Sequence, residues 1–340
     1  MTVRVGIIGL GYFSQFHLAS WAANPDVALI GATDTSLERC NWAQSEYGTK
    51  IFTETAGLLS QELDVLDIVA PPKAHATLVK QALGNVRVII CQKPFCENLD
   101  EAEALTEMAK NSGTTLIIHE NFRFQPWYRT IKSLLDGGLL GEIYGARSTL
   151  RPGDGRGPDA YMARQPGFQT MEKFLIHETG VHFIDLFRWL FGEIVAVYAD
   201  TKRLNPNIAG EDTGVLIFNH PNGVQTVFDG NRLSDHATDN PRRTMGEMEI
   251  EGTLGTLRLN GYGQLTFRAF GQSQWVDQPL MQPVDETAFG GGCVGALNMH
   301  VVAALNGSVP FENTAAEYLS VLKIEAAAYQ STKEARKIYV

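Results

Sequence analysis

Over the first 120 residues, short apolar runs alternate with helical stretches, and that alternation leaves few folds open to the chain. The apolar runs are Val3–Ile8, Val27–Thr33, Ile51–Thr53, Val65–Ala70, Val86–Cys91 and Thr115–Ile118. Helices are predicted between them over Phe13–Ala23, about Ser36–Tyr47, His75–Leu83 and Leu99–Asn111. Asn24-Pro25 stops the first helix and Pro71-Pro72 ends a strand, because proline supplies no amide to continue either. Strands this apolar have no solvent face. Strand–helix–strand alternation therefore implies a parallel sheet covered by helices on both sides.

From Glu142 the pattern changes. Strand-like stretches follow one another at Ile143–Leu150, Ile194–Lys202, Gly214–Phe218, Gln225–Asn231, Met245–Glu251, Thr256–Leu259 and Gln264–Ala269, and Asn222-Gly223 is a hairpin turn. A helix over about Trp127–Leu139 precedes them, and two more, about Val294–Leu305 and Ala315–Thr332, close the chain. A chain of 340 residues exceeds what one core usually holds, so two domains are predicted, 1–122 and 123–340.

Charge removes some functions. With 28 basic and 38 acidic residues the net charge is −10, and no dense Lys/Arg run supplies the footprint that nucleic acid or an anionic membrane needs. No signal peptide precedes Val3 and no apolar run approaches the ~20 residues of a membrane span. Cys40, Cys91, Cys96 and Cys293 form no Cys-x-x-Cys pair, which suits reduced thiols in a cytoplasmic protein.

The first strand runs into Gly9-Leu10-Gly11-Tyr12-Phe13-Ser14 and then a helix. Gly9 allows a tight turn, Gly11 lets a pyrophosphate approach the backbone at the helix N-terminus, and Ser14 keeps the third position small. Asp34 ends the second strand, 20 residues beyond Ser14, where a carboxylate can accept from an adenosine ribose. The same carboxylate repels a 2′-phosphate, so NAD is expected rather than NADP. Lys93, in Gln92-Lys93-Pro94, follows the fifth strand at the sheet's carboxyl edge, where ligands of open α/β sheets collect.

In the second half, Phe174–Gly192 reads as an apolar helix on which Glu178, His182, Asp185 and Trp189 form one polar stripe. Buried groups of this kind need partners. His177 and His182 are five apart and diverge by about 140° on a helix, which does not match the spacing of four that the two-histidine zinc arrangement uses, and no metal is expected. Asp185 is expected to anchor the helix, and His177 is open between substrate contact and a structural tie. Between Leu150 and Phe174 lies an irregular segment bearing Arg151, Asp154, Tyr161, Arg164 and Gln169, hydrogen-bonding groups suited to a polyol. A second polar loop runs through Asn231-Arg232 to His236 and Asp239-Asn240.

Five motifs then occur in a familiar order: Gly9-x-Gly11, Pro71-Pro72-Lys73-Ala74-His75, Gln92-Lys93-Pro94, Asn121-Phe122-Arg123-Phe124-Gln125-Pro126 and Glu178-x-x-x-His182-x-x-Asp185. With the strand–turn–strand Ile250–Leu257, they make the chain resemble the glucose–fructose oxidoreductase/inositol dehydrogenase family (Gfo/Idh/MocA) over nearly its whole length. The resemblance implies an α/β N-terminal Rossmann fold plus an α+β C-terminal domain with a large, mainly antiparallel open sheet. It also implies a homodimer or homotetramer assembled through that sheet.

The implied activity is NAD(P)-dependent oxidation of a sugar or cyclic polyol hydroxyl. The cofactor positions are Gly9, Gly11, Tyr12, Phe13, Ser14, Asp34, Pro71, His75, Gln92, Lys93 and Asn121. Lys93 and His182 take catalytic roles, with Glu178 at a position that is usually aspartate. Histidine titrates close to neutral pH and suits the general base. Arg123, Arg151, Tyr161, Arg164 and Gln169 join Lys93, Glu178 and His182 as substrate contacts. Gln92 stands where the family usually has glutamate. The Arg151–Met171 segment and the His-Glu-Thr-Gly-Val-His helix resemble a bacterial subgroup that oxidises small, apiose-like aldoses to the lactone. The rival readings are an inositol-type dehydrogenase or keto-sugar reductase, a non-catalytic nucleotide-dependent sensor, and an NAD-dependent glycosidase.

Overall fold

The structure is a computed structural model and describes residues 2–340. Its first half runs β1 (Val3–Ile8), α1 (Ser14–Ala23), β2 (Val27–Thr33), α2 (Leu37–Tyr47), α3 (Thr55–Leu59), β3 (Val65–Ile68), α4 (Pro72–Ala82), β4 (Val88–Gln92), α5 (Leu99–Ser112) and β5 (Thr115–His119). The five strands form one parallel sheet in the order β2-β1-β3-β4-β5. The order reverses between β1 and β3, and ligands of such sheets bind outside the strand ends at that switch point.

Local chemistry sets the helix ends. Ser36 and Asn98 cap α2 and α5 by accepting from the Arg39 and Glu101 amides, and Gly48 and Gly113 close the same helices in the left-handed region. The expected strand at Ile51–Thr53 shrinks to a single parallel bridge, Ala32 to Ile51. The chain turns away after Phe52, and α3, which the sequence pattern did not suggest, begins at Thr55.

The second half contributes α6 (Pro126–Asp136), β6 (Ile143–Leu150), α7 (Val181–Phe191), β7 (Ala196–Lys202), β8 (Thr213–Asn219), β9 (Gln225–Asn231), β10 (Met248–Gly252), β11 (Gly255–Leu259), β12 (Leu265–Ala269) and β13 (Val276–Gln278). After α8 (Cys293–Leu305) and α9 (Ala315–Glu334), β14 (Ile338–Tyr339) returns to the sheet edge. The nine strands lie in the order β13-β12-β11-β10-β6-β9-β8-β7-β14. Every pairing is antiparallel except β6 with β9.

One face of this sheet is apolar and buried. Phe183 and Phe187 of α7 pack on it, with ring centroids 4.7 Å from Phe228 and 5.9 Å from Phe218. The sheet therefore fixes α7, and through it the polar stripe.

The chain divides into two compact units, Met1–Asn121 with Val294–Ser320, and Phe122–Cys293 with Val321–Val340. The second domain is thus not the contiguous 123–340 that the sequence suggested. Val294–Ser320 joins the first unit because it has partners there. The Asn298 amide donates to Ser20 Oγ at 3.2 Å, the Ile118 N–H donates to Asn313 O at 2.8 Å, and Thr314 bridges to Ile117. This strap covers the open edge of β5, which would otherwise expose unpaired backbone. No helix among the described residues is long and apolar enough to cross a membrane.

Candidate active site

The turn after β1 distinguishes its two glycines. Gly9 has φ +96°, and a Cβ there would lie 2.5 Å from the Ala70 nitrogen, so the approach of the β3 end demands glycine. Gly11 has no such constraint, since a Cβ there would meet nothing within 4 Å. Protein packing gives no reason for glycine at 11.

Ser14 is buried and folds back on the turn, its hydroxyl donating to Gly11 O at 2.6 Å and its amide to the same oxygen at 3.1 Å. A serine is thereby accommodated where glycine is usual. Tyr12 and Phe13 sit beside the turn and pack edge-on against Phe16. Asp34 ties the turn to β2, accepting from the Leu10 amide at 2.6 Å and the Ser36 amide at 2.7 Å through its two oxygens.

Around the ends of β3 and β4, Pro71 caps α4 and is exposed. His75 is buried with Nδ1 2.9 Å from Pro94 O and Nε2 2.8 Å from Ala70 O. The ring sits between two loops and, as a neutral imidazole with one N–H, donates to one of these carbonyls, so it supports the carboxyl edge of the sheet rather than reaching from it. Burial pushes its pKa below the usual histidine value, against the pull of those carbonyls. Asn121 is buried and its side-chain oxygen has no hydrogen-bond partner in the protein. A buried amide oxygen without a donor, the open space at Gly11 and the N-terminus of α1 suit a dinucleotide. Lys93, half-buried, ends this edge.

In the second unit, the helix predicted over Phe174–Gly192 divides. Leu175–Gly180 is a π-helical turn and the α-helix begins at Val181. Glu211 holds the opening of this turn. Its side chain accepts from the Phe174 and Ile176 amides at 3.2 and 3.1 Å, and its carbonyl accepts from Leu175 at 3.0 Å, so an outside partner takes the opening N–H groups. Tyr329 reinforces this carboxylate by donating to it at 2.7 Å. His177 turns toward α9, with Nδ1 2.6 Å from Glu325 Oε1, which makes it a structural tie.

The predicted stripe separates into two settings. Asp185 takes a bidentate ion pair from Arg123, both side chains buried, and the Arg123 guanidinium lies 5.8 Å from the centroid of Trp189. One residue earlier, Phe122 stacks on the His182 ring at 4.0 Å with planes 2° apart. Adjacent residues of one 3₁₀ turn, Phe122–Phe124, thus grip both His182 and Asp185.

Glu178 belongs to a network centred on Arg232. The Arg232 guanidinium is 1% exposed and donates to both oxygens of Asp154, at 3.2 and 2.8 Å. It also donates to Thr179 Oγ1 at 2.9 Å and reaches Glu178 at 3.4 Å, while the Thr179 hydroxyl donates to Glu178. Burial acts against its charge, but Asp154 and Glu178 outweigh it and hold the pKa above the usual arginine value. Tyr161, Phe168 and Phe174 enclose the guanidinium, with centroids 4.7–5.6 Å away. Tyr161 has a left-handed backbone, φ 69°, and burial pushes its phenol up to about 12, so it stays protonated.

Arg164 joins the network through Asp154 at 3.3 Å. Three other expected substrate contacts are committed inside the protein. Arg151 is pinned by Asp229 at 2.6 Å, Gln169 donates to Pro158 O and Ala160 O at 2.8 Å, and Arg123 holds Asp185. The sequence reading missed Glu211 and the role of Arg232, both of which sit among polar neighbours that carry no helical or strand signal. It also missed Asp67 and His17, where a carboxylate in the strand Val-Leu-Asp-Ile and a histidine in an apolar helix were the available signs.

Comparison with known proteins then identifies the family. A family model described as an oxidoreductase family with an NAD-binding Rossmann fold matches residues 3–120, and one for the Gfo/Idh/MocA C-terminal domain matches 128–258. The chain belongs to the Gfo/Idh/MocA oxidoreductase family. Among relatives in this family, D-apiose dehydrogenase of Paraburkholderia graminis is 31% identical over 98% of this chain and 88% of its own. D-apiose dehydrogenase of Rhizobium rhizogenes is 27% identical over 99% and 97%. An oxidoreductase from Agrobacterium radiobacter, solved with NAD+, L-tartaric acid and magnesium, superposes with a TM-score of 0.90 at 26% identity, covering 100% of this chain and 98% of that one. The Gfo/Idh/MocA assignment makes the Gly9–Ser14 turn part of an NAD-binding fold and the chain an oxidoreductase.

Proposed function

We propose that this protein is an NAD-dependent dehydrogenase that oxidises a hydroxyl of a small aldose, of the D-apiose class, to the lactone. The observation that carries the reading is near-full-length similarity to two D-apiose dehydrogenases. The first unit binds the dinucleotide, and Asp34 selects NAD over NADP by repelling a 2′-phosphate. The second supplies substrate contacts.

Bound NAD supplies the hydride acceptor. Lys93 binds the reacting oxygen and stabilises negative charge as it develops. His182 removes the hydroxyl proton as general base, its ring oriented by stacking on Phe122. Glu178, fixed by Thr179 and Arg232, accepts from a substrate hydroxyl or orients His182. Asp154 and Arg164 offer further polar contacts for a polyol.

The protein is proposed to act in the cytoplasm as a homodimer or homotetramer. Tyr198 and Val215, exposed on the outer face of the nine-stranded sheet, support self-association there. Light scattering that returned only the monomer mass would reject it.

The test is a panel of aldoses, inositols and deoxysugars with NAD and with NADP, followed by absorbance of the reduced cofactor. D-Apiose with NAD is expected to give the highest kcat/KM, and a preference for myo-inositol would move the reading to an inositol dehydrogenase. Lys93→Met and His182→Ala are each expected to lower turnover by at least about 100-fold while NAD affinity stays within about twofold. Unchanged turnover in either variant removes that residue from the mechanism.

A further inference from the structure

Beneath Lys93 lies a chain of buried polar side chains with a defined direction. Asp67 of β3 is fully buried and accepts through one oxygen from His17 Nδ1 at 2.8 Å and from Trp21 Nε1 at 2.7 Å. A carboxylate can only accept, so His17 carries its proton on Nδ1 and presents Nε2 as an acceptor. Gln92 Nε2 lies 2.9 Å from His17 Nε2 and 3.3 Å from His119 Nδ1, and its two hydrogens serve these two acceptors. With the amide nitrogen so placed, Gln92 Oε1 accepts from the Lys93 backbone N–H at 3.0 Å. His17 and His119 are wholly buried, and their rings lie 4.2 Å apart.

We propose that Asp67, His17 and Gln92 form a positioning unit that fixes the backbone of Lys93, an inference that rests on the role given to Lys93 above. Asp67 sets the tautomer of His17, His17 sets the rotation of the Gln92 amide, and the amide oxygen anchors Lys93. The arrangement also accounts for glutamine where the family usually has glutamate. A carboxylate at 92 would bring no donors to two imidazole acceptors, whereas the amide supplies both donors and keeps the acceptor that Lys93 needs. These are positioning residues. Of Asp67, His17, Gln92 and Lys93, only the lysine touches substrate.

The test is a double-mutant cycle on the full-length enzyme turning over its preferred aldose with NAD. Gln92→Met is expected to lower kcat by about 10- to 100-fold, with the NAD Kd and sugar KM within about twofold. Added to Lys93→Met, the same substitution is expected to cost less than about twofold more, because its effect passes through the lysine. Asp67→Asn, which keeps an acceptor for His17 and Trp21, is expected to retain at least half of kcat. An equal loss from Gln92→Met in both backgrounds would overturn the positioning unit and leave the role of Lys93 intact. Full turnover in Lys93→Met would instead remove the lysine's role and the inference with it. A readout that needs no active variant is 15N-histidine NMR of the native protein, with the His17 signal assigned by its loss in His17→Gln. An Nδ1–H tautomer is expected, and an Nε2–H tautomer would refute the proposed direction of the chain.

Discussion

The two glycines of the β1 turn make opposite predictions, and the structure sets their sizes. Gly9→Ala places a methyl 2.5 Å from the Ala70 nitrogen, and 2.6 and 2.7 Å from neighbouring backbone atoms, at φ +96°. Backbone atoms cannot swing aside as a side-chain end can. The left-handed conformation alone costs roughly 1–2 kcal/mol with a Cβ present, and overpacking typically adds about 1–3 kcal/mol. Gly9→Ala should therefore destabilise by about 2–5 kcal/mol. Gly11→Ala meets no atom within 4 Å and has no positive φ, so stability should hold within about 0.5 kcal/mol or rise slightly through a stiffer unfolded chain.

Affinity should follow the reverse order of cause. On the proposal that the pyrophosphate lies against Gly11, a methyl there should weaken NAD binding at least about tenfold, which is ~1.4 kcal/mol. Thermal unfolding without nucleotide reads the first effect, and calorimetric titration with NAD reads the second. A Gly11→Ala protein of native stability and undiminished NAD affinity would refute the reasoning, because the open space would then have no occupant.

The Arg123–Asp185 pair allows a second test. Asp185→Ala leaves a buried guanidinium unpaired and should cost about 3–5 kcal/mol in urea unfolding of the second unit, while Arg123→Met with Asp185→Leu recovers most of it. A loss below about 0.5 kcal/mol would show that the pair does no work. Glu211→Ala frees the Phe174 and Ile176 amides and the Tyr329 hydroxyl, so stability should fall by about 1–3 kcal/mol and sugar KM should rise. Stability and KM equal to wild type would dismiss its hold on the π turn. His75 carries a pH prediction. Its folded pKa lies below the usual 6.5, so the unfolded chain binds its proton first. The stability is present above pH 6.5 and is lost as pH falls through the lower folded pKa. His75→Gln should flatten that part of the acid unfolding profile, and an unaltered profile would assign the sensitivity elsewhere.

Much of the architecture was legible in the sequence because it rests on local, periodic signals. Alternating apolar strands and helices require a covered parallel sheet, and β9 emerged with the bounds Gln225–Asn231 that the pattern suggests. The turn from β1 into α1 and the position of Asp34 just past β2 were readable because a strand–turn–helix unit imposes a fixed spacing along the chain. What the tertiary structure alone decided depends on partners distant in sequence. Glu211 takes the opening amides of Phe174–Ile176, and the predicted α-helix opens as a π turn. Arg123 and Arg151 read as polyol contacts, and the structure pairs them with Asp185 and Asp229, 62 and 78 residues away. Val294–Ser320 belongs to the first unit because Asn313 and Thr314 cover β5, a pairing that no periodicity announces. Periodicity reports which face of an element is buried. It does not report which distant group satisfies a buried charge, and that choice fixes the setting of the polar stripe and of Lys93.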